Sequence, residues 1–151
     1  MCLPILIAAG GIGDGRGIAA AFALGASGVQ IGTAFLSCPE AGTDQPRRAL
    51  LRVAKDTDTM VTNAFSGRPA RAMRSRYAEE MAKSREPLPE FRQMYALSGP
   101  LENAAADSEA SFHLYGQAAA LNRDLPAADL FRILIDEAAD VFGKLSNNPL
   151  Q

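Results

Sequence analysis

Residues 4–35 carry the pattern that most restricts the fold of this chain. The run PILIAA at residues 4–9 is continuously apolar without alternation, which predicts a strand covered on both faces in a parallel sheet. A glycine-rich loop follows, and then a helix is predicted from Arg16 to Leu24 with Asp14 as its N-cap. A second strand is predicted over Gly28–Phe35, so the elements form a βαβ unit. This unit predicts an α/β fold class built on a parallel sheet.

The remainder of the chain is predicted to be mainly helical. The final helix has the clearest pattern, because apolar side chains recur along it as one broad stripe. The predicted elements are a helix over Pro46–Lys55, a short strand over Thr59–Thr62, a turn over Ser66–Arg71 leading into a basic helix that ends before Pro87, a helical stretch over Pro89–Leu97 broken at Gly99–Pro100, a mobile linker over Asn103–Ala110, and helices over Phe112–Leu121 and Ala127–Leu145.

Two strands of parallel character do not form a stable sheet by themselves. Each needs a neighbour on both sides, or backbone groups and apolar surface remain unpaired. The first strand also begins within three residues of Met1, without a lead-in. We therefore expect a piece of a longer protein, whose missing strands come from that protein, from a partner or from self-association.

Composition excludes several classes of function. The chain has 151 residues, of which 48% are hydrophobic and 21% charged, and its net charge of −2 gives no reason to expect nucleic acid or a membrane surface as a partner. No apolar run approaches the roughly 20 residues of a membrane helix. Cys2 and Cys38 match no metal or redox spacing, so a reducing, cytoplasmic setting without a metal site is expected.

The segment AGGIGDG at residues 9–15 carries the strongest chemical signal. Glycines there allow positive φ angles and let the backbone approach an anion closely. The helix that follows is expected to present free N–H groups and its positive dipole end to the same anion, as suits a phosphate. The dinucleotide fingerprint GxGxxG and the Walker lysine are both absent. Taken alone, the loop also fits a simple tight turn between strand and helix.

The end of the second predicted strand favours the phosphate interpretation. Residues 30–33, QIGT, place another glycine and a hydroxyl at the C-terminal end of that strand. In (β/α)8 barrels a phosphate is often held by the loops after strands seven and eight. Two successive glycine-bearing strand ends match that arrangement.

Several segments in order resemble one family, the nitronate monooxygenases. The resemblance runs in register from about Pro4 to Ala138, which is more specific than a glycine loop alone. The similar segments are residues 9–17 (AGGIGDGRG), 24–26 (LGA), 28–36 (GVQIGTAFL), 38–40 (CPE), 62–71 (TNAFSGRPAR) and 115–118 (YGQA).

This resemblance implies the C-terminal part of a flavin-binding (β/α)8 TIM barrel plus a mainly helical substrate domain. It divides the chain into residues 1–56 with the last two β/α units, 57–123 from the substrate domain, and 124–151 with the C-terminal helix. It implies FMN as cofactor and oxidation of alkyl nitronates with O2. The residues it implies for FMN binding are Gly10, Gly11, Gln30, Ile31, Gly32 and Thr33.

The resemblance assigns no catalytic residue in this chain. The family's catalytic histidine lies in a Gly-Gly-His context, which does not occur here, so we expect these 151 residues alone to be inactive. Two alternatives remain open. One is a flavin-dependent enoyl-acyl-carrier-protein reductase with the same type of barrel, and the other is an inactive half-barrel that oligomerises.

Other chemistry-bearing side chains are interpreted as structural. His113, the sole histidine, is predicted to lie in a late helix away from any strand end. Asp56 and Asp58 are predicted to lie in an exposed turn, and Cys38 has no neighbouring base in the sequence. The basic residues are predicted to form a solvated helix face with ion pairs to nearby glutamates. They are Arg68, Arg71, Arg74, Arg76, Lys83 and Arg85.

Overall fold

The computed structural model describes residues 4–104, 110 and 112–147 of this mixed α/β chain. The strands are β1 (Ile7–Ala9), β2 (Gly28–Gln30), β3 (Thr59–Thr62) and β4 (Ala70–Met73). The helices are α1 (Gly15–Ala23), α2 (Gln45–Val53), α3 (Arg76–Lys83), α4 (Gln93–Ala104) and α5 (Ala127–Asn147). Short 3₁₀ helices cover Thr33–Phe35, Asp56–Asp58 and Gln117–Leu121.

The predicted βαβ unit is confirmed. Strands β1 and β2 pair in parallel, and α1 connects them. Asp14 caps α1 as predicted, because its side chain accepts a hydrogen bond from the Gly17 amide. The second strand is shorter than predicted, since it ends at Gln30 and residues Thr33–Phe35 form a 3₁₀ helix. The prediction of strand through Phe35 is wrong because the chain turns at Gly32.

Strand β1 is not covered on both faces by the described residues. Ile5, Leu6 and Ile7 are 81%, 57% and 50% exposed, although their sequence predicts burial. The physical reason is that, within the described part of the chain, β1 pairs with β2 alone and has no strand on its other edge. An apolar strand with this exposure requires additional neighbours.

The first hydrophobic core lies between α1 and α5. Ile18 of α1 packs with Leu130, Leu134 and Ala138 of α5, which confirms one half of the predicted stripe. The other half stays at the surface. Its exposed members are Phe131, Ile135, Phe142 and Leu145.

A hairpin of β3 and β4 replaces part of the predicted basic helix. Residues Ala70–Met73 were predicted to be a turn and the start of a helix, but they pair antiparallel with β3. The basic helix starts later, at Arg76, where Ser75 caps the Ala78 amide. Tertiary pairing overrides local preference here, because Ala72 is fully buried and a second neighbour, Leu114, bridges to it.

Two helical predictions in the second half of the chain are wrong. Helix α4 continues through Gly99–Pro100, where Pro100 is exposed and lacks only the N–H that would donate to the carbonyl of Ala96, itself an exposed residue. The stretch Phe112–Leu121 is helical only in its 3₁₀ portion. Of the predicted linker, Asn103 and Ala104 belong to α4, Ala110 is buried, and residues 105–109 lie outside the described part of the chain. Among the described residues no helix has the length and apolar character needed to cross a membrane.

Candidate functional site

The parallel register brings the two glycine-bearing strand ends to one edge of the sheet. Ala9 lies opposite Gln30, so Gly10–Gly11 and Gly32–Thr33 follow neighbouring strands in the same direction. We call these four residues the glycine rim. Gly10 and Gly11 have φ angles of 91° and 71°, which residues with side chains rarely adopt. Among the described residues, no atom of another segment lies within 4 Å of a Cβ built on Gly10, Gly11 or Gly32, so the space beside these three glycines is open.

The N-terminus of α1 is closed, which contradicts one prediction. The Gly15 amide donates to Glu137 Oε2 at 3.0 Å, and the Gly17 amide donates to Asp14 Oδ1 at 3.0 Å. Two carboxylates therefore occupy the positive end of this helix, and its N–H groups are not available to a phosphate. The sequence did not reveal Glu137, because α5 brings it there across 122 residues.

Asp14 is held as a carboxylate at this position. Burial raises the pKa of its carboxyl group, but the hydrogen bonds from Gly17 and Arg16 and the charge of Arg16 together outweigh burial and lower that pKa. The Arg16 guanidinium lies 2.7 Å from Asp14 Oδ2. The ionised Asp14 carboxylate therefore keeps the Gly17 amide occupied, and that amide is not free for a phosphate.

Thr33 is half-buried, and its hydroxyl oxygen contacts a distant segment of the chain. Its Oγ1 accepts a hydrogen bond from the Gly116 amide at 2.9 Å, which connects the rim to the segment just before the 3₁₀ helix Gln117–Leu121. Tyr115, the preceding residue, is buried and donates its hydroxyl proton to the Arg47 carbonyl at 3.1 Å. The resemblance singles out residues 115–118, but no local pattern in the sequence indicates that they contact the rim.

Gln30 and Ile31, the two residues before Gly32, differ in the surroundings of their side chains. Gln30 is the last residue of β2 and its side chain is exposed. Ile31 packs its side chain against the core between α1 and α5. Only the backbone of Ile31 therefore faces the edge where the rim lies.

His113 lies outside any helix, contrary to the prediction of its element. It precedes the bridge residue Leu114, and its carbonyl accepts the Met73 amide at 2.8 Å. Its ring stacks on Tyr115 with centroids 5.9 Å apart and an interplanar angle of 15°. These contacts fit the structural role that the sequence predicted.

We expect the stability of the fold to decrease as His113 becomes protonated. Burial and the positive charge of Arg47 lower its pKa below the usual value of 6.5. As the pH falls, the unfolded chain therefore binds the proton at a higher pH than the folded chain does. The free energy of unfolding decreases from about pH 6.5 downward, until the pH lies below the folded pKa of His113. Urea unfolding between pH 7.5 and 5 measures this, and His113→Gln should flatten the slope. An unchanged slope in that variant would contradict the assignment.

Two of the six basic residues form the predicted ion pairs with nearby glutamates. Arg74 pairs with Glu79 at 3.4 Å and Arg76 with Glu80 at 2.9 Å, both at the surface. The six do not share one helix face, however, because Arg68 follows a turn and Arg71 belongs to β4.

The remaining candidate groups are also held in structural contacts. Asp58 accepts the Lys55 amide at 2.8 Å, and Asp56 is exposed beside it. Cys38 is buried, and burial raises the pKa of its thiol, which disfavours the reactive thiolate. Within the described ranges no three His, Cys, Asp or Glu side chains gather as metal ligands do.

Arg48 is a structural anchor near the site that the sequence did not reveal. Its buried guanidinium donates to the carbonyls of the loop that follows the 3₁₀ helix at the rim. The four acceptors are the carbonyl oxygens of Ser37, Cys38, Ala41 and Thr43. In sequence it is one of two adjacent arginines on a polar helix, a pattern typical of a solvated face.

Comparison with known proteins supports the resemblance in the sequence. A family model described as nitronate monooxygenase matches residues 2–137. A nitronate monooxygenase of Pseudomonas aeruginosa is 42% identical over 139 residues, covering 89% of this chain and 39% of the relative. One from Paraburkholderia phytofirmans is 49% identical over 133 residues, covering 85% of this chain and 36% of the relative. The chain thus spans well under half the length of these relatives.

Solved structures show the same similarity in three dimensions. A nitroalkane oxidase from Streptomyces ansochromogenes superposes with a TM-score of 0.83 at 36% identity, covering 92% of this chain and 40% of that one. FabK from Thermotoga maritima superposes with a TM-score of 0.80 at 33% identity, covering 96% and 48%. With the family model matching nearly its entire length, the chain belongs to the nitronate monooxygenase family.

Proposed function

We propose that the whole protein to which these residues belong oxidises alkyl nitronates with O2 and uses FMN as its cofactor. The observation that carries the proposal is the convergence of Gly10–Gly11 and Gly32–Thr33 at one open edge of the parallel sheet. In this proposal the chain is the C-terminal part of a (β/α)8 barrel. Residues 1–56 supply its last two β/α units, 57–123 belong to a substrate domain, and 124–151 hold the returning helix. We place the protein in the cytoplasm.

The residues at the rim fit the phosphate of FMN. Glycines with positive φ angles and nothing in front of them leave room for an anion against the backbone of Gly10 and Gly11. Backbone amides of Gly32 and Thr33 lie at the start of the 3₁₀ helix, where N–H groups have no acceptor within the helix. Gln30 and the backbone of Ile31 line the same side. The closed end of α1 takes no part.

The flavin would supply the electron transfer between nitronate and O2, and these residues would bind and orient it. Backbone amides at fixed positions stabilise a phosphate without long side chains that must be ordered first. The group that handles the substrate proton is not assigned to this chain. His113 is committed to its stack on Tyr115.

A second candidate is a flavin-dependent enoyl-acyl-carrier-protein reductase, with which the similarity to FabK is compatible. The two activities are distinguished by assay of the whole protein. Nitronate-dependent O2 uptake without NADH supports the first, and NADH-dependent enoyl reduction supports the second. The third candidate, an inactive half-barrel that oligomerises, predicts self-association and a colourless protein.

Replacing Gly11 by alanine should weaken FMN binding by about tenfold or more in the whole protein. The new Cβ enters the space proposed for the phosphate, and the φ of 71° disfavours alanine by about 1–2 kcal/mol. Gly25→Ala is the matched control, because Gly25 has a φ of 97° and equally open surroundings but follows the far end of α1. Flavin fluorescence titration measures both affinities. Equal losses in the two variants would contradict a phosphate at the rim.

A further inference from the structure

The segment Tyr115–Leu121 contacts both of the loops that carry the glycine rim, at Thr33 and at Gly13. We call it the buttress. On one side, its Gly116 amide donates to Thr33 Oγ1. On the other side, Ala118 and Leu121 pack so closely on Gly13 that a Cβ built there would lie 3.1 Å from the Cβ of each. Gly13 belongs to the same loop as Gly10–Gly11, so one short segment contacts the loops after β1 and β2.

The buttress is itself anchored to the body of the chain. Tyr115 is buried against Leu51 and Ala119, and its hydroxyl donates to the Arg47 carbonyl in α2. Ala118 and Ala119 are buried as well. Its position is therefore determined by packing rather than by contact with solvent, which is what a fixed support for two loops requires.

The contact with Gly116 also determines the direction of the Thr33 hydroxyl proton. Because Oγ1 accepts from the Gly116 amide, its own proton must donate in another direction. Thr33 Oγ1 makes no second hydrogen bond to the described residues, so that proton has no protein acceptor among them. The open rim lies beside it.

We infer that Gly116 is a positioning residue that holds the Thr33 hydroxyl as a hydrogen-bond donor to the FMN phosphate, with the buttress fixing the spacing of the two loops. This inference rests on the proposed function. Glycine suits position 116 because a Cβ there would lie 3.2 Å from Thr33 Oγ1, a distance that forces the hydroxyl to shift. The sequence separation of 83 residues between the two partners explains why no local pattern reveals the contact.

The test compares FMN with riboflavin, which has the same ring system but no phosphate. In the whole protein, Thr33→Val should weaken FMN binding by about 10- to 100-fold, as expected for the loss of a hydrogen bond to a charged group, and leave riboflavin affinity unchanged. Thr33→Ser should restore most of the FMN affinity. Gly116→Ala should lower FMN affinity by a smaller factor, roughly three- to tenfold, because the displaced hydroxyl keeps part of its interaction.

Ala120→Ser provides a control within the buttress, because the side chain of Ala120 is exposed, whereas those of Ala118 and Ala119 are buried. It should leave both affinities unchanged. If Thr33→Val or Gly116→Ala weakened the binding of FMN and riboflavin equally, the effect would be a general structural one. That result would overturn the inference about Gly116 but not the proposed function. A parent protein that binds both flavins equally, or neither, would overturn the phosphate site and the proposed function with it.

Discussion

Replacing Gly15 by alanine is expected to destabilise the fold by about 3 kcal/mol, at the upper end of the usual range for overpacking. A Cβ at this position would overlap the Cβ of Glu137 and the backbone nitrogen of Ala138. Backbone atoms of a packed helix cannot move aside as a side chain does, so α1 and α5 would separate. That separation also breaks the hydrogen bond from the Gly15 amide to Glu137. Chemical unfolding of variant and parent measures the difference.

Gly143→Ala is the control for this substitution. Gly143 also lies in a helix, but it is exposed and a Cβ there has nothing within 4 Å. Alanine at that position should stabilise the fold by about 0.5–1 kcal/mol, because it reduces the freedom of the unfolded chain. The packing argument fails if Gly15→Ala leaves the stability of the fold unchanged or raises it as Gly143→Ala does.

Replacing Arg48 by methionine is expected to cost about 3–4 kcal/mol of stability. The substitution keeps much of the side-chain volume but removes the hydrogen bonds that Arg48 donates to the carbonyls of Ser37, Cys38, Ala41 and Thr43. Buried carbonyl oxygens that lose a donor in this way are costly, because no water replaces the lost hydrogen bond. Because this loop follows the 3₁₀ helix at Thr33, we also expect weaker FMN binding by the whole protein.

Arg52→Met, one turn further along α2, is the matched control. Arg52 makes a salt bridge of 2.7 Å to Asp124, but both side chains are about half exposed. Surface pairs of this kind contribute about 0–1 kcal/mol, so the loss should be small. Thermal unfolding of both variants ranks the two sites. A larger loss in Arg52→Met than in Arg48→Met would contradict the anchoring role of Arg48.

The sequence predicted the elements whose signals are local. The βαβ unit, the Asp14 cap and the buried half of α5 all follow from apolar periodicity and from residues adjacent in the chain. The same local signals failed where distant pairing decides the conformation. The residues of β4 were predicted to lead into a helix, and residues 112–116 were predicted to be helical. Both predictions failed because the bridge between Ala72 and Leu114 joins segments 42 residues apart, which no local signal reveals.

The predictions about the candidate site were likewise correct where the signal is local and wrong where a distant contact decides. Glycine positions and the order of the two strand ends were sufficient to predict that Gly10–Gly11 and Gly32–Thr33 share an edge, and the parallel register confirms it. The prediction that α1 also offers its N-terminus was wrong, because Glu137 arrives there only through the packing of α5 on α1. The free N–H groups at a helix N-terminus need an acceptor, and at Gly15 that acceptor is the Glu137 carboxylate of the protein itself.

By itself, the sequence determined the family, the α/β class and the residues of the rim, since these depend on side-chain type and short spacing. Only the tertiary structure decided which amides remain open and what supports them, as with Gly116 behind Thr33 and Glu137 at Gly15. Those contacts join residues 83 and 122 positions apart. Hydrogen bonds and close packing depend on distances in space, and these distances are established only when the chain folds.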